Sequence, residues 1–248
     1  MNEPKVVDWA EALERRLPTA TSGEAALRRR LLDVLLTPSP PDKMTYEEFL
    51  AWTDEDTLAE WVDEEAVMYI PASKRHQDIG GFLFETLRAY VRSRRLGVVV
   101  QAPFQMKLEH GREPDLLFVA AEHLERLGET YLEGPADLVV EIISPESVGR
   151  DRGEKFLEYE AGGVPEYWLI DPQRQQAEFY QLGPDERYHP VFPDEAGRYH
   201  AQAVADFWLQ ISWLWQEPLP SPVRAVAEIA GVDPALVDAF ERALRGES

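Results

Sequence analysis

From Arg75 to Arg95 the apolar residues Ile79, Phe82, Leu83, Leu87, Tyr90 and Val91 recur at intervals of three and four. That spacing predicts a long amphipathic helix with arginines on its other faces. After Gly97 the texture changes to strands, over residues 98–101, 104–108 and 116–119, with a short helical piece around 121–127. The nearly all-apolar run 138–143 predicts a strand covered on both faces. A second helix, over 150–161, stops at Gly162 and Gly163, and strands resume over 166–170 and 177–181. Further short strands are expected between Tyr188 and Leu214, and a final helical pattern over 234–244. The class is mixed α/β.

The first part of the chain reads differently. Two amphipathic helical patterns, around 7–17 and 24–36, precede Pro38, Pro40 and Pro41, which predicts an N-terminal helical appendage and a proline-rich linker over 1–43. A new helix starts at Thr45, with Glu48 at capping-box spacing, and ends near Trp52. Two short runs, 58–62 and 66–70, predict a hairpin whose Asp63-Glu64-Glu65 turn lacks the glycine usually favoured there. The main domain is expected over 44–217. A C-terminal helical tail, 218–248, follows from Pro218, Pro220 and Pro222.

With 248 residues, 44% hydrophobic and 29% charged, the chain can bury one sizeable core. No run approaches the roughly 18 to 20 apolar residues of a bilayer-spanning helix, and residues 1–10 lack a basic segment followed by an apolar one. The expectation is a soluble, cytoplasmic protein with no membrane partner. The absence of cysteine excludes disulfides, thiolate metal sites and a Cys nucleophile, leaving carboxylate or imidazole metal chemistry. The net charge of −21 argues against coating nucleic acid by bulk attraction. Its distribution is uneven, however. Residues 44–73 carry nine acids and no Lys or Arg, while 74–112 carry eight bases against three acids.

Three residues are candidates for chemistry. Glu141 interrupts the apolar run Leu138-Val-Val-Glu-Ile-Ile143, where an ionised carboxylate needs a cation or donors to compensate its burial. Asp115 stands at the mouth of the strand 116–119, after Pro114. Lys155 lies on the helix that follows Glu141. It is one of five Lys against 20 Arg, and the only Lys after Lys107, which favours a site needing a compact ammonium over a solvated pair with Asp151. Two carboxylates and an ammonium can hold Mg²⁺ or Mn²⁺ and set a water against a phosphate.

Pro114-Asp115, Glu141-Ile-Ile-Ser-Pro145, Arg150-Asp-Arg-Gly-Glu-Lys155, Tyr159 and Gly163-Val-Pro-Glu-Tyr-Trp168 together resemble the Uma-two family of restriction-endonuclease-like proteins, within the Pro-Asp…Glu-x-Lys nuclease group. The resemblance covers about residues 44–181. It implies a restriction-endonuclease-like core, a mixed central sheet flanked by helices. Asp115 and Glu141 are then the metal ligands and Lys155 the catalytic lysine, with Glu60 as an additional ligand and His76 as a family position. Two departures stand out. Position 143, where the general motif has its lysine, is Ile, so the ammonium must come from the helix. The family's Asp-Gly turn is Asp63-Glu64 here.

The expected activity is therefore that of a Mg²⁺- or Mn²⁺-dependent endonuclease acting on DNA. His76, Arg88, Arg92 and Arg95 are the candidate DNA contacts. A homodimer is expected on chemical grounds, since cutting both strands needs two sites. The rival is a catalytically weak or inactive nuclease-like module used for interaction or dimerisation. A glycosidase with two carboxylates ranks last, because nothing marks a sugar cleft.

Overall fold

The computed structural model describes residues 43–53, 59–62, 64–68, 73–144, 147 and 149–247. The expected N-terminal appendage lies outside them. So do Leu58, Asp63, Tyr69 and Ile70 of the expected hairpin.

Helix α1 (Tyr46–Trp52) begins with the reciprocal bonds its sequence anticipates. Thr45 Oγ1 accepts from the Glu48 amide at 3.2 Å, and Glu48 Oε2 accepts from the Thr45 amide at 2.8 Å. Strands β1 (Ala59–Val62) and β2 (Glu65–Met68) pair antiparallel, with Val62 opposite Glu65. Glu64 accordingly takes φ 68°, the left-handed conformation that glycine adopts without penalty.

The hairpin is one end of a five-stranded sheet. Strand β1 pairs with β5 (Gly111–Arg112), β5 with β4 (Gln105–Lys107), and β4 runs parallel to β7 (Tyr131–Glu133). Gly111 is required by close approach: a Cβ there would lie 2.6 Å from Cε2 of Tyr46, so α1 sits directly on the β5 backbone.

The larger sheet runs β11 (Tyr188–Pro190), β10 (Gln176–Leu182), β9 (Glu166–Asp171), β8 (Leu138–Ile142), β6 (Leu116–Ala120) and β3 (Gly97–Gln101). Neighbours are antiparallel except β8 and β9, which are parallel and joined through α3 (Lys155–Ala161). Both faces are covered, as the run 138–143 requires. On one face Leu116, Phe118, Leu138, Val140 and Ile142 pack against Ile79, Leu83 and Leu87 of α2 (Lys74–Arg94). On the other, Leu117, Val119, Val139 and Ile143 meet Met106, Leu132 and Tyr159. Each such fully buried aliphatic side chain contributes on the order of 1.5–3 kcal/mol. Period-two alternation sends Glu141 to this second face, toward α3.

Downstream, β12 (Arg198–His200) pairs with β13 (Trp208–Gln210), and a 3₁₀ turn, Ile211–Trp215, follows. Trp213 is buried edge-on to Phe82, with ring centroids 6.3 Å apart. Helix α4 (Pro222–Ile229) inserts Ala225 and Ile229 into the core beside α2. This part of the expected tail is thus integral to the domain. Pro222 occupies the first helical turn, where proline is well tolerated. Helix α5 (Pro234–Leu244) has the bounds its periodicity predicts, and Arg224 ties it to α4 through Asp238 at 2.6 Å and Glu241 at 2.5 Å.

Candidate active site

Glu141 sits in the middle of the larger sheet and is 3% exposed. Its Oε1 accepts from Lys155 Nζ at 2.9 Å and from the Tyr159 hydroxyl at 2.8 Å. Both donors come from the first turns of α3 and lie four residues apart, so one helix face supplies them. Burial pushes the Glu141 carboxyl well up. The Lys155 ammonium opposes this, and the charges of Asp151, Asp115 and Glu60 add to it. Burial and the Glu141 charge likewise push the Tyr159 phenol up, so it stays a donor.

The spacing over 150–161 predicts a regular helix. Instead, Arg150–Glu154 forms a π turn, and the α-helix proper begins at Lys155. The Asp151 amide donates to Ser147 O at 2.8 Å, and the Tyr167 hydroxyl donates to Asp151 O at 3.0 Å. Arg152 reaches across to Glu178 and lies 3.6 Å from Asp171. Turns of this wide type are frequent at functional sites. Lys155 is 3% exposed and Asp151 2%, with 3.7 Å between Nζ and Oδ1, so their contact is an interior one.

Asp115 enters β6 next to Glu141 in the antiparallel register with β8. Its Oδ2 accepts from the Ile142 amide at 2.6 Å and lies 3.3 Å from His76 Nε2. His76 is placed by the start of α2, where Ser73 Oγ accepts from the His76 amide. Burial works against the charged imidazole, but the Asp115 bond and charge outweigh it, and the pKa of His76 is raised.

Glu60 arrives from the smaller sheet and is fully buried. Its Oε1 forms an ion pair with Lys155 Nζ at 2.8 Å and accepts from the Glu113 amide at 3.1 Å, and its Oε2 accepts from Arg112 at 3.1 Å. Arg112 also donates through Nε to Glu158 Oε2 at 2.7 Å. Glu113 bonds to Gln105, and its carboxyl is pushed up to about 8 by burial and by the charge of Glu60.

Asp115, Glu141, Lys155, Glu60 and His76 are therefore brought together. Arg88, Arg92 and Arg95 are not. They are exposed near the far end of α2, about 18 to 28 Å along the helix axis from His76 at a rise of 1.5 Å per residue.

Sequence reasoning missed Arg112, Glu113 and Glu158. The available signal was three charged residues in Arg112-Glu113-Pro114-Asp115 at a strand entrance, where a buried arginine implies buried acids. For Glu158, three residues after Lys155, helical spacing was the only hint.

The donor set suits a hard divalent cation. Mg²⁺ commonly uses one or two carboxylates and keeps several waters. Among the described residues, no hydrogen bond falls on Asp115 Oδ1 or Glu141 Oε2, whereas both oxygens of Glu60 are engaged. No group of three or more His, Asp or Glu is gathered as a preformed metal cage among the described residues. Glu141, Glu60, Asp151 and Glu158 gather around the cations Lys155 and Arg112, and Asp115 sits beside His76.

Residues 46–212 match the Uma2 family, described as "Putative restriction endonuclease". Among solved structures the chain is similar to "a putative nuclease belonging to DUF820 from Anabaena variabilis ATCC 29413". The TM-score is 0.59 at 18% identity, over 69% of this chain and 97% of that one. At that identity the likeness is one of fold. No curated protein matches the chain.

Proposed function

Because the chain belongs to the Uma2 family and has a restriction-endonuclease-like fold, we propose that it is a metal-dependent nuclease hydrolysing phosphodiester bonds of DNA. The observation that carries this reading is the meeting of Lys155 with Glu141 at 2.9 Å, beside an Asp115 anchored on the Ile142 amide. Asp115 and Glu141 would hold Mg²⁺ or Mn²⁺ through Oδ1 and Oε2, which take no hydrogen bond from the described residues. When bound, the ion lowers the pKa of a water ligand and neutralises charge on the phosphate. Lys155 contributes an ammonium that orients the attacking water or stabilises the charge that develops. Tyr159 fixes which oxygen of Glu141 faces the lysine. His76, beside Asp115, contacts a phosphate of the bound strand. The exposed Arg88, Arg92 and Arg95 steer more distant duplex, and a homodimer would supply one site to each strand.

A second reading, an interaction module with little turnover, is favoured by one observation. Leu236, Phe240 and Leu244 form an exposed apolar stripe on α5, outside the family match. No helix among the described residues is long and apolar enough to cross a membrane. Calorimetry with Mn²⁺ separates the two readings. Wild type should bind and Asp115→Ala should not, whereas a wild type silent toward both Mg²⁺ and Mn²⁺ favours the module.

A further inference from the structure

Glu60 differs from the other two acids in how its oxygens are spent. It is fully buried, and both of its oxygens are engaged, by hydrogen bonds from Arg112 and the Glu113 amide and by an ion pair with Lys155 at 2.8 Å. It also comes from a different sheet. Asp115 and Glu141 lie on β6 and β8 of the larger sheet, whereas Glu60 and Arg112 lie on β1 and β5 of the smaller one. Arg112 closes a loop of contacts. It bonds Glu60, which bonds Lys155, and it bonds Glu158, three residues after Lys155 on the same helix.

We infer that Glu60 and Arg112 are positioning residues for Lys155, a clasp between the smaller sheet and the start of α3, and that Glu60 does not ligate the metal. The inference rests on the nuclease reading for what Lys155 does, but not for where Glu60 is bound. Lys155 has a long, flexible stem, and Glu141 holds its ammonium at 2.9 Å from the side of β8, with Asp151 at 3.7 Å. Glu60 gives the ammonium a second fixed point on the opposite wall. Arg112 holds Glu60 from its other oxygen, so the carboxylate cannot turn away toward an ion. The π turn Arg150–Glu154 leads directly into Lys155, so the clasp fastens the first residue of the α-helix proper.

Three measurements test this. First, Glu60→Gln should lower kcat on plasmid DNA about 100-fold, the cost of a misplaced catalytic group, with KM within about threefold. Second, its affinity for Mn²⁺ measured by calorimetry without DNA should stay within about threefold of wild type, while Glu141→Ala loses at least about tenfold, since removing a ligand should cost no less than the roughly 10- to 100-fold lost when a group supporting a ligand is removed. Arg112→Lys, which keeps a cation on Glu60 but cannot span to Glu158, should recover part of the kcat that Arg112→Gln loses. A Glu60→Gln protein that loses Mn²⁺ affinity as Glu141→Ala does, or that keeps wild-type kcat, overturns the inference. Third, a crystal of wild type soaked in Mn²⁺ needs no variant to fold and no activity. Glu60 still bound to Lys155 and Arg112 supports the clasp, and Glu60 on the ion overturns it. The crystal result is independent of whether the protein cuts DNA, so this inference and the nuclease reading can fail separately.

Discussion

Lys155 Nζ and Glu141 Oε1 lie 2.9 Å apart across the junction between α3 and β8, in an interior where each residue is 3% exposed. A lone charge at that depth is costly, so the pair, together with Glu60, is a condition of folding as well as a candidate for chemistry. Lys155→Met should therefore destabilise the protein by about 3 to 5 kcal/mol, the usual cost of removing one partner from a buried pair. Urea unfolding at pH 7 and at pH 5 checks this. The loss should shrink at pH 5, where protonation relieves the carboxylates left behind.

Glu113 gives stability a pH dependence with a definite sign. Its carboxyl is raised from 4.5 to about 8 in the folded chain by burial and by Glu60. The folded state therefore holds a proton that the unfolded state releases. The contribution is fully present below about pH 4.5 and is lost as pH rises to about 8. Glu113→Gln should flatten that decline. Denaturation midpoints from pH 5 to pH 9 would show it, and parallel curves for the two proteins would contradict it.

Much of this architecture is legible in the residue pattern, for identifiable reasons. The α1 capping box, the α2 periodicity and the two-faced β8 run are local or periodic signals. Glu141 is conspicuous because it interrupts the apolar run, Lys155 because lysine is scarce in this chain, and Asp115 through its place at a strand entrance. Strands β5 and β7 are two and three residues long, too short to show a period. Arg112 looks like one more base in a basic segment, because only tertiary pairing buries it. The π turn at Arg150–Glu154 leaves no compositional mark, and the prolines before α4 mask a helix start.

Glu166 is a buried carboxylate away from the site. It accepts from the Trp168 indole, the Tyr199 hydroxyl and the amides of Gln202 and Ala203. It fastens the 202–203 loop to β9. Glu166→Ala strands those donors and should cost about 3 kcal/mol or more in chemical denaturation. Leaving the Asp115 and Glu141 environment intact, it should not change Mn²⁺ affinity.

The arginines at the far end of α2 are exposed, and their expected role is electrostatic. Replacing Arg88, Arg92 and Arg95 by Gln together should weaken DNA binding and reduce the salt slope, by about 0.9 for each phosphate the protein no longer neutralises. Fluorescence anisotropy with labelled duplex across a salt series measures both. An unchanged slope would place DNA elsewhere on the surface.

The most direct measurement is cleavage of supercoiled plasmid by purified protein in Mn²⁺ or Mg²⁺, with wild type and Glu141→Ala prepared in parallel and checked for equal folding. The expected result is metal-dependent nicking or linearisation by wild type that disappears with Glu141→Ala and in EDTA. Cleavage that survives the substitution, or a wild type that leaves every DNA intact in both metals, would contradict a nuclease centred on Asp115, Glu141 and Lys155.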